Sequence, residues 1–225
     1  MRVLAIDTAL EACAAAVLDP ELGVVRETLP MARGHAEALM PLLARVMGEV
    51  KSGFAAIDRV AVTTGPGSFT GLRVGISAAR GIALATGKPA YGITTLAAFA
   101  APHIAADDSL PVAVAIDARH QHVYLQIFGA GGRSIIAPRI ASIRDAVRLA
   151  AGGSMRLAGT GAVMVADAWP ASEPAPRLID EQRAPDIAWV ARLGAAATGQ
   201  PSVPKPLYLR APDAQPQDAA RLPRR

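Results

Sequence analysis

The chain has 225 residues, 52% of them hydrophobic, and a formal net charge of +4. That length allows one large domain or two smaller ones with real cores, and that hydrophobic content excludes general disorder. The charge comes from three lysines, Lys51, Lys88 and Lys205, and twenty scattered arginines, which is not the clustered basic face of a nucleic-acid binder. The one basic cluster, Arg221, Arg224 and Arg225, reads as a tail. Cys13 is the only cysteine, which excludes an intramolecular disulfide and fits a reducing cytoplasm. Asp7 and Glu11 interrupt any signal-peptide core, and Pro102 and His103 break the apolar run from Pro89 to Ala106, so no membrane span is expected.

Val3–Ile6 and Ala12–Leu18 read as strands joined by the turn Asp7-Thr8-Ala9, with a third strand at Leu22–Leu29. An amphipathic helix begins between His35 and Pro41 and runs to about Val50. Leu39, Leu42, Leu43, Val46, Met47 and Val50 trace its apolar stripe, widened by Ala36 and Met40. Arg59–Thr64 has the β-branched density of a covered strand, and Gly65-Pro66-Gly67 ends it sharply. Ser68 or Thr70 can cap the helix that follows.

That Gly-rich turn has the outline of a phosphate loop without its chemistry. Thr70-Gly71-Leu72 stands where Gly-Lys-Ser/Thr is required, and the third glycine of a dinucleotide fingerprint would fall at Thr70. A tight strand-to-helix turn is the favoured reading, with Gly65 and Gly67 kept as candidate cofactor contacts. The helix spans about Gly71 to Thr86, with Gly71, Gly75, Ala79 and Ala83 in one small-residue stripe. Gly75 and Gly81 together cost about 2 kcal/mol against alanine, so a close neighbour is expected, either inside the subunit or on a partner.

A short strand at Ala90–Ile93 and a helix from Thr94 to about Ile104 complete this half. Then the pattern restarts: Ala5-Ile6-Asp7 recurs as Ala115-Ile116-Asp117, again between an apolar strand and a returning strand, His122–Phe128. Gly and Pro clusters at Gly129–Arg133, Gly152–Ser154 and Pro170–Pro176 mark a looser stretch. A last helix, Ile187 to about Thr198, is capped by Asp186, and a Pro-rich irregular tail begins at Gln200. The halves divide at residues 1–108 and 109–225.

Two such halves suggest an α/β protein of the actin/hexokinase/Hsp70 architecture, with paired sheet-plus-helix units facing across a cleft. Acidic turns in that cleft hold a metal nucleotide only if backbone N–H groups are exposed beside them. Thr8-Ala9 follows Asp7 and Ala118-Arg119 follows Asp117, so glycine is missing from both turns. Asp7 and Asp117 are candidate nucleotide contacts, or simply cap their own turns.

The ordered set Leu4-Ala5-Ile6-Asp7-Thr8, His35-Ala36-Glu37-Ala38-Leu39-Met40-Pro41, Gly65 through Gly75, Asp117-Ala118-Arg119 before Val123-Tyr124, and Tyr208-Leu209-Arg210 closely resembles the TsaB (YeaZ) family. The resemblance covers nearly the whole chain, with residues 131–185 only generically similar. It implies the actin-like fold and a role in threonylcarbamoyladenosine synthesis on tRNA, where the paralogue TsaD transfers the group, TsaB is its required partner and the ATPase TsaE joins them. It also implies a non-catalytic subunit that contacts tRNA only indirectly and pairs with itself when alone. The paralogue's two metal-binding histidines correspond to Thr95 and Phe99, which are poor ligands, so neither a metal site nor a catalytic residue is expected. No cofactor is expected either, beyond ATP or ADP held at a degenerate cleft or a subunit interface.

Partner contact is expected through the two N-terminal helices, at Leu39, Leu43, Met47, Gly71, Gly75, Ala79 and Ile82. On that basis Gly75→Leu should harm partner binding more than folding. His35-Ala36-Glu37 is not the His-Glu-x-x-His of a zinc protease, and Ser68 has no base placed beside it, which disfavours a peptidase. The remaining alternatives are an ATP-dependent phosphotransferase of the same architecture and an RNA-binding module.

Overall fold

The computed structural model describes residues 1–180, 182–199 and 202–210. The first half forms β1 (Val3–Asp7), β2 (Ala12–Asp19), β3 (Gly23–Pro30), α1 (His35–Gly48), β4 (Arg59–Gly65), α2 (Phe69–Thr86), β5 (Ala90–Thr94) and α3 (Thr95–Ala106). The second half forms β6 (Val112–Asp117), β7 (His122–Phe128), β8 (Ser134–Ser142), α4 (Ile143–Ala150), β9 (Arg156–Ala158), α5 (Ala162–Asp167), β10 (Arg177–Asp180) and α6 (Ile187–Ala196). The sheets have strand orders β3-β2-β1-β4-β5 and β8-β7-β6-β9-β10. In each, the first three strands are antiparallel and the last two join in parallel. The Ala-Ile-Asp recurrence therefore belongs to a duplication of the entire β-β-β-α-β-α-β-α unit, the actin-like architecture that the sequence suggests.

The stretch read as looser between residues 129 and 176 is ordered. It holds β8, α4, β9 and α5; the last two are short, β9 with three residues and α5 with six. The division at residue 108 also needs correction in space. Helix α6 follows the second half in sequence, yet Ile187, Val190 and Ala191 pack on Val3, Ala5, Ala14, Ala16 and Ala61 of the first sheet. Its Gly194 sits where a Cβ would come within 2.4 Å of the Ala61 Cβ. In the same way α3 sends Leu96, Phe99 and Ala100 onto Val112, Val114 and Ile116 of the second sheet. Each half's last helix thus covers part of the other half, and α3 and α6 form the middle layer between the sheets.

Helices α1 and α2 cover the opposite face of the first sheet. Leu39, Leu42, Leu43, Val46 and Met47 of α1 and Leu72, Ile76 and Ala79 of α2 lie in one core with Leu4, Ile6, Val17 and Val62. Ser68 caps α2 by accepting from the Gly71 amide at 3.3 Å. The interface candidates are accordingly corrected. Leu39, Leu43 and Met47 are at most 3% exposed; Gly71, Gly75 and Ala79 are buried, and Ile82 packs against the same core. The glycine stripe faces the strands of its own subunit. A Cβ on Gly75 would lie 2.4 Å from Thr8 Oγ1, and one on Gly71 would lie 2.1 Å from the Thr8 carbonyl oxygen.

Gly75 and Gly81 should therefore respond oppositely to alanine. Nothing lies within 4 Å of a Cβ at Gly81, so Gly81→Ala should stabilise by about 1 kcal/mol through helix propensity. Gly75→Ala should destabilise by about 1–3 kcal/mol through overpacking. Urea unfolding of the two variants measures both; equal effects would mean that α2 does not seat on Thr8 as described.

Candidate functional site: a cleft with one acid sealed and one exposed

The cleft between the halves encloses about 890 Å³. Ala9, Leu10 and Glu11 from the β1–β2 turn and Gly67, Ser68, Phe69 and Thr70 from the start of α2 form one wall. Asp117, Ala118 and Arg119 from the β6–β7 turn and Gly159 and Thr160 before α5 form the other, and Tyr208, Leu209 and Arg210 close one side.

The two repeat-related acids do the same local work. Asp7 Oδ1 accepts from the Ala9 amide at 3.0 Å, and Asp117 Oδ1 accepts from the Arg119 amide at 2.7 Å. Each is an acid capping its own turn two residues on. Their surroundings then diverge. Asp7 is 0% exposed. Thr63 Oγ1 donates to its Oδ1 at 2.5 Å, and Oδ2 has no hydrogen-bond partner among the described residues. Burial pushes its carboxyl above the usual carboxylate range, opposed by the bonds from Thr63 and Ala9 and by nearby His35.

The Gly-rich loop holds the rest of this turn. The Ser68 amide donates to the Ala9 carbonyl at 2.7 Å, and Thr8 Oγ1 donates to the Gly71 carbonyl at 2.7 Å. Gly67 lies so close that a Cβ there would be 2.3 Å from the Ala9 oxygen. The Ala9 amide is taken by Asp7 and the Ser68 amide by the Ala9 carbonyl, so neither points freely at a phosphate. His35 Nε2 lies 3.0 Å from the Leu10 carbonyl and steadies the same turn as a buried structural group.

Of the four candidate cofactor contacts, Asp7 and Gly65 are therefore withdrawn. Asp7 is enclosed, and Gly65 is buried with φ of 109°, its would-be Cβ 3.0 Å from the Leu207 oxygen. Gly67 and Asp117 do line the cleft. Sequence reasoning missed Arg119, which also lines it. Arg119, His120 and Gln121 all have positive φ, at 62°, 51° and 59°, a left-handed run that non-glycine residues rarely adopt. The only available signal was the absence of glycine from a turn of this length. His120 and His122 flank this surface turn, with His122 Nδ1 2.7 Å from the His120 carbonyl. Among the described residues no group of three or more His, Cys, Asp or Glu side chains converges as a metal site, and no helix is long and apolar enough to cross a membrane. The Arg221, Arg224 and Arg225 cluster lies outside the described residues.

Cys13 is a core residue, its thiol pushed up to about 11 by burial first and by Asp7 second.

Fold and cleft together define a duplicated actin-like protein that has closed one of its two acidic turns. A family profile described as "TsaD: tRNA N6-adenosine threonylcarbamoyltransferase" matches residues 15–214, and the chain belongs to that family. An uncharacterized protein of Mycobacterium tuberculosis (H37Rv) is 35% identical over 216 residues, 95% of this chain and 94% of that one. The "tRNA threonylcarbamoyladenosine biosynthesis protein TsaB" of Escherichia coli K12 is 38% identical over 125 residues. That match covers 55% of this chain and 53% of the relative, about half of each. The solved structure of YeaZ from Pseudomonas aeruginosa superposes with a TM-score of 0.76 at 26% identity, covering 92% of this chain and 99% of that one. Within the family the chain is thus similar to the TsaB/YeaZ members.

Asp7 predicts a pH signature. A carboxyl whose pKa is raised on folding stabilises the native state only while protonated in both states. Its contribution is lost as pH rises from its unfolded value, about 3.9, through its folded one. Asp7→Asn keeps an oxygen for Thr63 and Ala9 but cannot ionise. Its Tm relative to the parent protein should climb with pH above about 4 and then level off; a pH-independent difference would show that Asp7 titrates normally.

Proposed function

We propose that the chain serves tRNA threonylcarbamoyladenosine biosynthesis as the non-catalytic partner of a TsaD-type threonylcarbamoyltransferase. The observation that carries the non-catalytic part is the sealing of Asp7. An actin-like phosphotransferase brings both repeat-related acids to a metal nucleotide, and here only Asp117 reaches the cleft. Thr95 and Phe99, which stand where the catalytic paralogue has its histidines, are 0% and 1% exposed and serve the core. No bound cofactor is needed for this role, and ATP or ADP at the cleft or at a subunit interface is the one cofactor it leaves room for.

The docking face is the outward side of α1 and α2, not the side that the glycine stripe suggested. Met40 is 55% exposed and Leu84 is 86% exposed, beside exposed Pro41, Ala44, Ser77 and Gly81. Gly81 lets a second helix backbone come close. A TsaD-type helix pair seats there, a second copy of this chain takes its place when the partner is missing, and a TsaE-type ATPase joins the assembled pair. tRNA is contacted through the partner.

Leu84 makes no core contact, so Leu84→Glu should change stability by under about 0.5 kcal/mol. It should weaken binding to a TsaD-type partner at least tenfold, about 1.4 kcal/mol. Titration calorimetry with the purified partner reads the loss. Reconstituted tRNA modification with and without this chain tests the role itself. Full modification in its absence would overturn the proposal, as would ATP turnover by the isolated chain that Asp117→Ala abolishes.

A further inference from the structure

Residues 202–210 form no helix or strand, yet they connect the parts of the molecule that face the cleft. Arg80 of α2 donates to the Pro204 carbonyl through Nε at 2.9 Å and again through Nη2. The Leu207 amide donates to the Thr64 carbonyl at 2.7 Å, at the end of β4. The Tyr208 ring stacks on Phe69 with centroids 5.4 Å apart, and Arg73 lies 3.7 Å over the Phe69 ring while donating to the Tyr208 hydroxyl at 3.2 Å. Leu209 packs against the core of α3 and the second sheet. Arg210 then donates to the Ala118 carbonyl at 3.1 Å, in the β6–β7 turn across the cleft.

The segment is held largely by its edges. Of its nine residues only Pro204 is buried; Tyr208 is 42% exposed and Val203 61%. Its polar anchors are the arginine side chains and the one backbone bond from Leu207 to Thr64. Phe69 and Tyr208 are also the only exposed aromatic rings among the described residues, and each covers the other. A segment with this profile can lift while giving up only the core contacts of Leu209, because local opening is governed by the few contacts that the opening unit breaks.

We propose that residues 202–210 are a latch that sets the opening of the cleft. Seated, the latch ties the β6–β7 turn to the Gly65–Gly71 loop and to α2. Released, it lets the second half swing on the α3–α6 layer, where the halves remain packed together. Shear closure of this kind proceeds by small sliding of packed helices. The proposal does not depend on what docks on α2, so it stands or fails separately from the assembly role.

The test uses the full chain with Tyr208→Ala and Arg210→Ala combined, and Tyr208→Phe as the mild variant that keeps the ring stack. Hydrogen exchange is followed at residues 64–70, at residues 117–121, and in β1 and β6. The double variant should exchange at least tenfold faster at 64–70 and 117–121, with β1 and β6 unchanged, and the radius of gyration from small-angle scattering should rise. Tyr208→Phe should fall between it and the parent protein. Unchanged exchange at both turns would overturn the latch. So would equal acceleration in β1 and β6, or failure of the double variant to fold, since either would make the segment part of the cooperative core.

Discussion

The contact on which the rest of the structure depends is backbone against backbone, between the Gly-rich start of α2 and the β1–β2 turn. Gly67, Gly71 and Gly75 come so near Thr8 and Ala9 that a Cβ at any of them would stand 2.1–2.4 Å from an oxygen there. A side chain would meet the Thr8 backbone at Gly71 and the Thr8 hydroxyl at Gly75, which accounts for the helix propensity forgone at those two positions. The approach has two consequences. It takes the turn's carbonyl and hydroxyl groups into internal hydrogen bonds, and it fixes the rotation of α2. With its glycine face turned inward, α2 must show Arg73, Ser77, Arg80, Gly81 and Leu84 outward.

The duplicate half shows how specific this is. Four residues separate β1 from β2 and four separate β6 from β7; three lie between β4 and α2 and three between β9 and α5. Gly159 and Gly161 repeat the close approach, their would-be Cβ atoms 2.6 Å from the Ala115 oxygen and 2.9 Å from Val123 Cγ1. With matched loop lengths, the different fates of the two acids come from the turns themselves. Arg119, His120 and Gln121 curl left-handed and carry Asp117 to the surface, whereas Thr8 and Ala9 lie flat under the loop. The strain of such a run, of order 1–3 kcal/mol per residue, is concentrated on the cleft wall that stayed open.

Much of this was legible in the sequence, and the failures have physical causes. The Ala-Ile-Asp recurrence disclosed the duplication because it marks the buried central strand of each sheet, where side-chain choice is narrow. The Asp186 cap, and Ser68 as one of two candidates, could be found because capping needs a short polar side chain at one position, while Thr94, read as the first helical residue, is the cap of α3. Strands β9 and β10, at three and four residues, are shorter than any period can register. The glycine stripe was seen correctly but its direction was not. Periodicity identifies a face without saying what covers it, and the adjacency of Leu72 and Ile76 to Gly71 and Gly75 was the signal that the stripe faced inward. The placement of α6 on the first sheet was invisible for a related reason: its apolar face suits either sheet, and only the chain path decides.

Helix α2 borders both the cleft and the exterior. Its inner side seats on Thr8, its first turn presents Phe69 to the cleft, and Arg73 and Arg80 hold the segment that reaches Ala118. An isolated surface ion pair contributes little. A helix fixed by backbone contact on one side is different, because it cannot move on the other without disturbing the glycine seat. Any protein that grips Leu84 and Gly81 therefore grips the body to which the cleft wall is tied. Gly71 and Gly75 leave α2 no room to shift on Thr8, so a displacement of its outer side is felt at the turn beneath it.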